Sequence, residues 1–266
     1  MNKNFVMLSG IPRSGSSVLS SMLNQHPDIH ATTTSPVADL LAIVNEQWPN
    51  ISQALVDRHP DQQSNIIKGI VEGAYQHVAK PVIVDKNRLW PRYSDFMNTA
   101  LGHKPKIICT VRSIPDVLSS YILLIEKNNY KTTYVDEELM NQGLPINTKN
   151  RCRLLWEKYV IHPYTSLRMG YNSGTADLLF VEYDDIVRDG QAVLDRICDF
   201  VSIDRYQLAA DRLQSMDEND AYHGGLDGLH DVRPVLEKTS PPPEQVIGHE
   251  LTRYYQSMRL EFWRKP

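Results

Sequence analysis

The sequence predicts an α/β fold, a P-loop-like parallel sheet flanked by helices, and three observations predict it. Short, continuous apolar runs recur along the chain, as expected of parallel strands covered on both faces. Segments with apolar residues three and four apart alternate with those runs. A glycine-bounded loop, Gly10-Ile11-Pro12-Arg13-Ser14-Gly15, joins the first run to the first helical segment. Alternation of this kind implies right-handed crossovers and a single parallel sheet.

Residues 5–8 (FVML) form the first expected strand, and 16–24 follow as a helix with Val18, Leu19, Met22 and Leu23 on one face. Helices are expected over 36–48 and 61–78, the second carrying Ile66, Ile67, Ile70 and Val71. Residues 81–84 (PVIV) and 106–111 (KIICTV) supply two more strands, followed by helices over 93–101 and 114–127. A long helix over 149–169 precedes a fourth strand at 178–181, and a helix over 184–201 breaks near Asp189-Gly190. Residues 249–264 read as a closing helix. The polar stretch 128–148 and the Gly-, Pro-, His- and Asp-rich stretch 215–245 read as loops, and loops of that length in a compact domain are often functional. With no repeat and no low-complexity linker, residues 1–266 are expected to form one domain.

Composition narrows the function. The chain has 266 residues, 41% hydrophobic and 23% charged, the profile of a globular protein. A net charge of −4 argues against nucleic acid as a partner, so an anionic ligand needs cations placed locally. Cys109, Cys152 and Cys198 are odd in number and widely spaced, which fits free thiols in a reducing compartment better than a disulfide framework or a zinc site. No run approaches the ~20 apolar residues of a membrane span. The apolar run at the start is too short for a secretion signal. These features predict a cytoplasmic protein and leave its oligomeric state open.

The loop at 10–17 carries the first chemical signal. Its backbone N–H groups and the helix start behind it suit an anion. Gly10 and Gly15 have the spacing of G-x-x-x-x-G-K-[ST], and Ser17 falls on the Ser/Thr position, but Ser16 replaces the lysine that reaches nucleoside triphosphates. Arg13 supplies a different cation. Arg112 ends a strand and Ser120 follows about two helical turns on; an arginine there can grip a phosphate with two parallel hydrogen bonds or form a surface ion pair, and the residues alone leave both readings open.

Here a resemblance becomes specific. Gly10 to Ser17, followed by Leu23 and His26-Pro27-Asp28, is similar to the 5′-phosphosulfate loop of sulfotransferases that use 3′-phosphoadenosine-5′-phosphosulfate (PAPS). The version it resembles most is that of tyrosylprotein sulfotransferases and their bacterial relatives. Val111-Arg112-Ser113 through Ser120 resembles the family's 3′-phosphate motif. Val84-Asp85-Lys86-Asn87 matches the place of a catalytic lysine, 26 residues before the arginine. Gly228-Leu229-His230-Asp231-Val232-Arg233 and Phe262-Trp263 resemble the tail of bacterial members.

The resemblance implies a sulfotransferase fold with PAPS as sulfuryl donor, PAP as product and no metal. It implies Pro12, Arg13, Ser14, Gly15, Ser16 and Ser17 around the phosphosulfate, and Arg112 with Ser120 at the 3′-phosphate. Tyr183 is expected near the nucleotide, and one of His230, Arg233 and Lys238 at the 3′-phosphate under a late loop. Lys86 is assigned to the bridging oxygen and Arg13 to the sulfuryl or phosphate oxygens. The sequence departs from the tyrosylprotein branch at Thr34, where that branch keeps a glutamate base. The base is therefore sought in His230, then His30, with Asp39 and His223 as further candidates. Thr34 turns the expected acceptor from a protein tyrosine toward a small-molecule, glycan or lipid hydroxyl, or an amine. Two rivals remain: a P-loop kinase using ATP-Mg, supported by the Walker-B-like Val82-Ile83-Val84-Asp85, and a catalytically inactive nucleotide-binding protein, supported by Thr34.

Overall fold

The computed structural model describes residues 3–57, 59–215, 226–237 and 240–264. Its strands are Asn4–Gly10 (β1), Ile29–Ala31 (β2), Val82–Lys86 (β3), Lys106–Val111 (β4) and Asp177–Glu182 (β5). All pair in parallel, in the order β2-β3-β1-β4-β5. From β1 the chain runs to the edge strand β2, fills back with β3, then crosses to the other side for β4 and β5, so a crevice opens at the carboxyl ends of the strands around β1. Alternation along β1 explains the double covering. Phe5 and Met7 face one core with Ile83, Trp90 and Cys109, while Val6 and Leu8 face the other with Leu19, Ile108 and Val181.

The expected α/β sheet is present, with one strand more than the apolar runs announce. Residues 29–31 (IHA) are three residues long and interrupted by a histidine, so they carry no visible run. Pairing with β3 makes the strand, and Asn24 closes its outer edge: the side chain accepts from the Ala31 N–H at 2.9 Å and donates to the Ala31 carbonyl at 2.7 Å. His26, in the His-Pro pair, is architectural. Its Nδ1 accepts from the Asp28 N–H at 3.0 Å, so Nε2 carries the proton toward the Asp204 carbonyl at 2.9 Å.

Three helical expectations are revised. The helix expected over 149–169 is two helices, Thr148–Leu155 and Ile161–Ser173, joined by a π turn at Trp156–Val160. Pro163 has no N–H for the Tyr159 carbonyl, so the ladder shifts register there. The expected loop 128–148 contains a helix, Tyr134–Asn141, capped by the Thr133 hydroxyl and tied down where Arg151 clasps Asp136 at 2.7 and 2.9 Å. The closing helix spans only His249–Ser257. Beyond it Arg264 grips Glu182, with Nε 2.9 Å from one carboxylate oxygen, and pins the carboxyl end of β5. No helix among the described residues is long and apolar enough to cross a membrane.

Candidate active site

Two glycines shape the loop after β1. A Cβ on Gly10 would lie 2.1 Å from the Thr110 hydroxyl, so β1 and β4 approach more closely there than any side chain allows. Gly15 has φ +87°, and a Cβ would meet the Tyr183 ring at 2.7 Å. Between them Arg13 adopts a left-handed backbone, φ 60°, at a cost of about 1 kcal/mol. Backbone strain of this kind concentrates at ligand-binding loops.

The loop, the ends of β3, β4 and β5, and the late segment 226–237 enclose a cavity of about 740 Å³. Of the residues expected at the site, Arg13, Gly15, Ser16, Ser17, Lys86, Arg112, Ser120, Tyr183, His230 and Arg233 line it. Among the described residues, six cations (Arg13, Lys86, Arg88, Arg112, Lys127, Arg233) face two carboxylates, Asp231 and Glu237, the reverse of the whole chain's sign.

Arg112 is 6% exposed. Its guanidinium stacks 4.2 Å from the Tyr183 ring centre, reaches the Arg13 carbonyl at 3.3 Å and stands 3.9 Å from Asp116. Its Nε is buried and has no hydrogen-bond partner among the described residues. Arg13 donates to the Ser120 hydroxyl at 3.1 Å and to the Leu229 carbonyl. Burial lowers its pKa, and Arg112 works in the same direction. The sequence separates Arg13 from Ser120 as members of two anion sites; the structure joins them through one hydrogen bond.

Several expectations need correction. Pro12 is buried and does not line the cavity. The Ser14 hydroxyl is also buried, 2.7 Å from the Thr110 hydroxyl and 2.5 Å from the Ile11 carbonyl, so it holds the loop against β4. His30 lies on β2 between Ile29 and Ala31, which face the core shared with Leu19. Its ring therefore turns to the opposite side, 6.2 Å from Tyr75 and away from the cavity. Burial, then Lys80, lower its pKa. Asp85, the Walker-B-like aspartate, is wholly buried beneath Ser35 (2.5 Å), Tyr75 and the Trp90 indole N–H (2.8 Å). Burial raises its pKa, and its carboxyl serves the core rather than the strand end. Lys238 and His223 lie outside the described residues.

Thr34 is exposed ahead of the helix Val37–Gln47. Asp39, in the first turn of that helix, accepts from Asn87 at 2.7 Å, one residue beyond Lys86. The late segment is anchored at its start, where the Asn128 side chain bonds the Asp227 backbone twice, at 2.9 and 3.1 Å. Farther on, Ser215 meets the Val232 N–H at 2.8 Å. The reading missed Arg88 and Tyr121. Each is adjacent to a recognised motif.

A doubly wound α/β chain with a cationic cavity at its strand ends is the class that fold and site define. The model of the sulfotransferase family matches residues 6–207, and the chain belongs to that family. It is 19% identical over 200 residues to protein-tyrosine sulfotransferase A of Caenorhabditis elegans, covering 75% of this chain and 50% of that protein. The chain thus spans about half the length of that relative. Among solved structures it resembles the sulfotransferase of Alicyclobacillus acidocaldarius, at 17% identity and TM-score 0.52, over 100% of this chain and 98% of that one. It also resembles mouse sulfotransferase SULT7A1 complexed with PAP, at 14% identity and TM-score 0.53, over 98% and 85% of the two chains. At these identities the likeness is one of fold.

Proposed function

We propose that this chain transfers the sulfuryl group of PAPS to a hydroxyl, or an amine, of a small-molecule, glycan or lipid acceptor, releasing PAP. The observation that carries the reading is Arg112. A guanidinium held almost out of water, stacked on an aromatic ring and left with an orphaned buried Nε, calls for a bound anion. Ser120 and Arg13 beside it, with Arg233 on the covering segment, suit a 3′-phosphate at one end of a nucleotide whose phosphosulfate lies along loop 13–17 toward Lys86. The PAP carried by a solved structure of similar fold agrees with that ligand.

In this reading the acceptor oxygen bonds to sulfur as the bridging S–O bond breaks, and its electron pair stays with PAP. Lys86 neutralises the charge that grows on the bridging oxygen, and Arg13 that on the sulfuryl and phosphate oxygens. His230 takes the acceptor proton, with Asp39 as the alternative base on the Asn87 side. The buried commitment of Asp85 removes the observation that favoured a kinase. The test is PAP formation from PAPS, without added metal, across hydroxylated metabolites, glycans and lipids. Release of PAP that depends on an acceptor supports the reading. Hydrolysis of ATP-Mg in its place, or PAP binding without turnover on any acceptor, contradicts it.

A further inference from the structure

Among the described residues that line the cavity, Arg88 is the cation to which the donor reading gives no role. The donor carries about four negative charges near neutral pH, two on the phosphosulfate and about two on the 3′-phosphate. Arg13 and Lys86 answer the first pair in the proposed reading, and Arg112 and Arg233 the second. Lys127 stands 3.8 Å from Asp231. Arg88 is left over. It lines the cavity two residues past Lys86, and among the described residues no carboxylate pairs with it.

The backbone that carries Arg88 is unusually well fixed for a strand-end loop. The Asn87 N–H bonds the Leu8 carbonyl at 2.9 Å, extending the sheet pairing past Lys86, and the Asn87 side chain accepts from the Leu89 N–H at 2.9 Å. The Arg88 carbonyl accepts from Ser166 at 2.8 Å and from Ser9 at 3.4 Å. Trp90 is buried against Asp85 immediately after. The side chain nevertheless stays exposed, within electrostatic reach of Tyr121 and Tyr134. Burial raises both phenols, and Arg88 and Arg13 oppose that rise.

A fixed backbone that brings Arg88 to the cavity wall two residues past Lys86, with no carboxylate partner among the described residues, suits the recognition of an anion. We infer that Arg88 binds an anionic group of the acceptor, so that the acceptor is a hydroxyl compound bearing a carboxylate or a phosphate. This rests on the proposed donor reading and deepens it. A fixed fork suits either anion.

The experiment uses the protein saturated with PAP, so that the donor sites are filled. Two matched pairs serve as probes: 4-hydroxybenzoate against 4-hydroxybenzamide, and glycerol 3-phosphate against glycerol, each titrated calorimetrically into wild type, Arg88→Gln and Arg88→Lys. The expected result is at least tenfold tighter binding of the anion in one pair. That preference disappears in Arg88→Gln and partly returns in Arg88→Lys, while PAP affinity stays within twofold. Equal binding within both pairs, including no measurable binding of any probe, overturns the inference. A preference that survives Arg88→Gln overturns it equally. A tenfold loss of PAP affinity in Arg88→Gln moves the residue to the donor and also overturns it. Failure of the wild type to bind PAP at all is a different result, one that strikes the donor reading itself.

Discussion

At the scale of single residues, Arg112 and Lys86 are assigned separable jobs, and their variants should separate. Arg112→Ala removes a charge-assisted contact that contributes about 1.5–3 kcal/mol. It should weaken PAP far more than adenosine-5′-phosphosulfate, which lacks the 3′-phosphate; equal losses in calorimetry would take Arg112 out of that role. Lys86→Ala should leave PAP affinity within a few-fold and slow turnover a hundredfold or more, about 3 kcal/mol in the barrier, because its charge acts mainly in the transition state. A variant with normal turnover would make the lysine an ordinary rim residue. His30 offers a control. Its folded-state pKa lies below the unfolded one, so its neutral form is favoured by folding, and that contribution is present above about pH 6.5 and lost as pH falls below it. His30→Asn should therefore keep full turnover and flatten the fall of stability below pH 6.5, as measured by urea unfolding at several pH values. Loss of turnover would restore His30 to the active site.

At the scale of elements, the loop between β1 and the helix Ser16–Asn24 depends on Gly15. Gly15→Ala places a methyl in a left-handed backbone and against Tyr183, whose ring also stacks on Arg112. PAP affinity should drop at least tenfold by calorimetry; unchanged affinity would mean that the loop and Tyr183 are not a joint wall of the site. This loop was legible in the sequence because glycine spacing and a preceding apolar run fix its geometry locally. Lys86, Arg112 and Ser120 were singled out through the resemblance, and the structure brings all three to the wall of one cavity. The misses share a cause as well. Strand β2 exists through pairing with β3, and the outward turn of His30 follows from which face Ile29 and Ala31 occupy. Asp85 looked like a strand-end carboxylate until Ser35, Tyr75 and Trp90, up to 50 residues away along the chain, proved to enclose it. Arg88 stood in plain view, but nothing local distinguishes a cavity cation from a surface one.

At the scale of the whole molecule, both cores share one sheet, and the far end of the chain returns to β5 through Arg264 and Glu182. We expect residues 1–266 to unfold as one cooperative unit, and non-coincident transitions by fluorescence and circular dichroism would argue for two. The central claim is that the cationic cavity is built for a nucleotide with anions at both ends. Thermal unfolding in the presence of a chelator, with PAP, PAPS or ATP, and separately with ATP-Mg, tests it most directly. A ligand at a hundred times its Kd adds about 2.7 kcal/mol, which raises the Tm of a chain of this size by about 5–10 °C. The predicted result is a rise of that order with PAP and PAPS and little with ATP in either form. A rise with ATP-Mg and none with PAP would contradict the account.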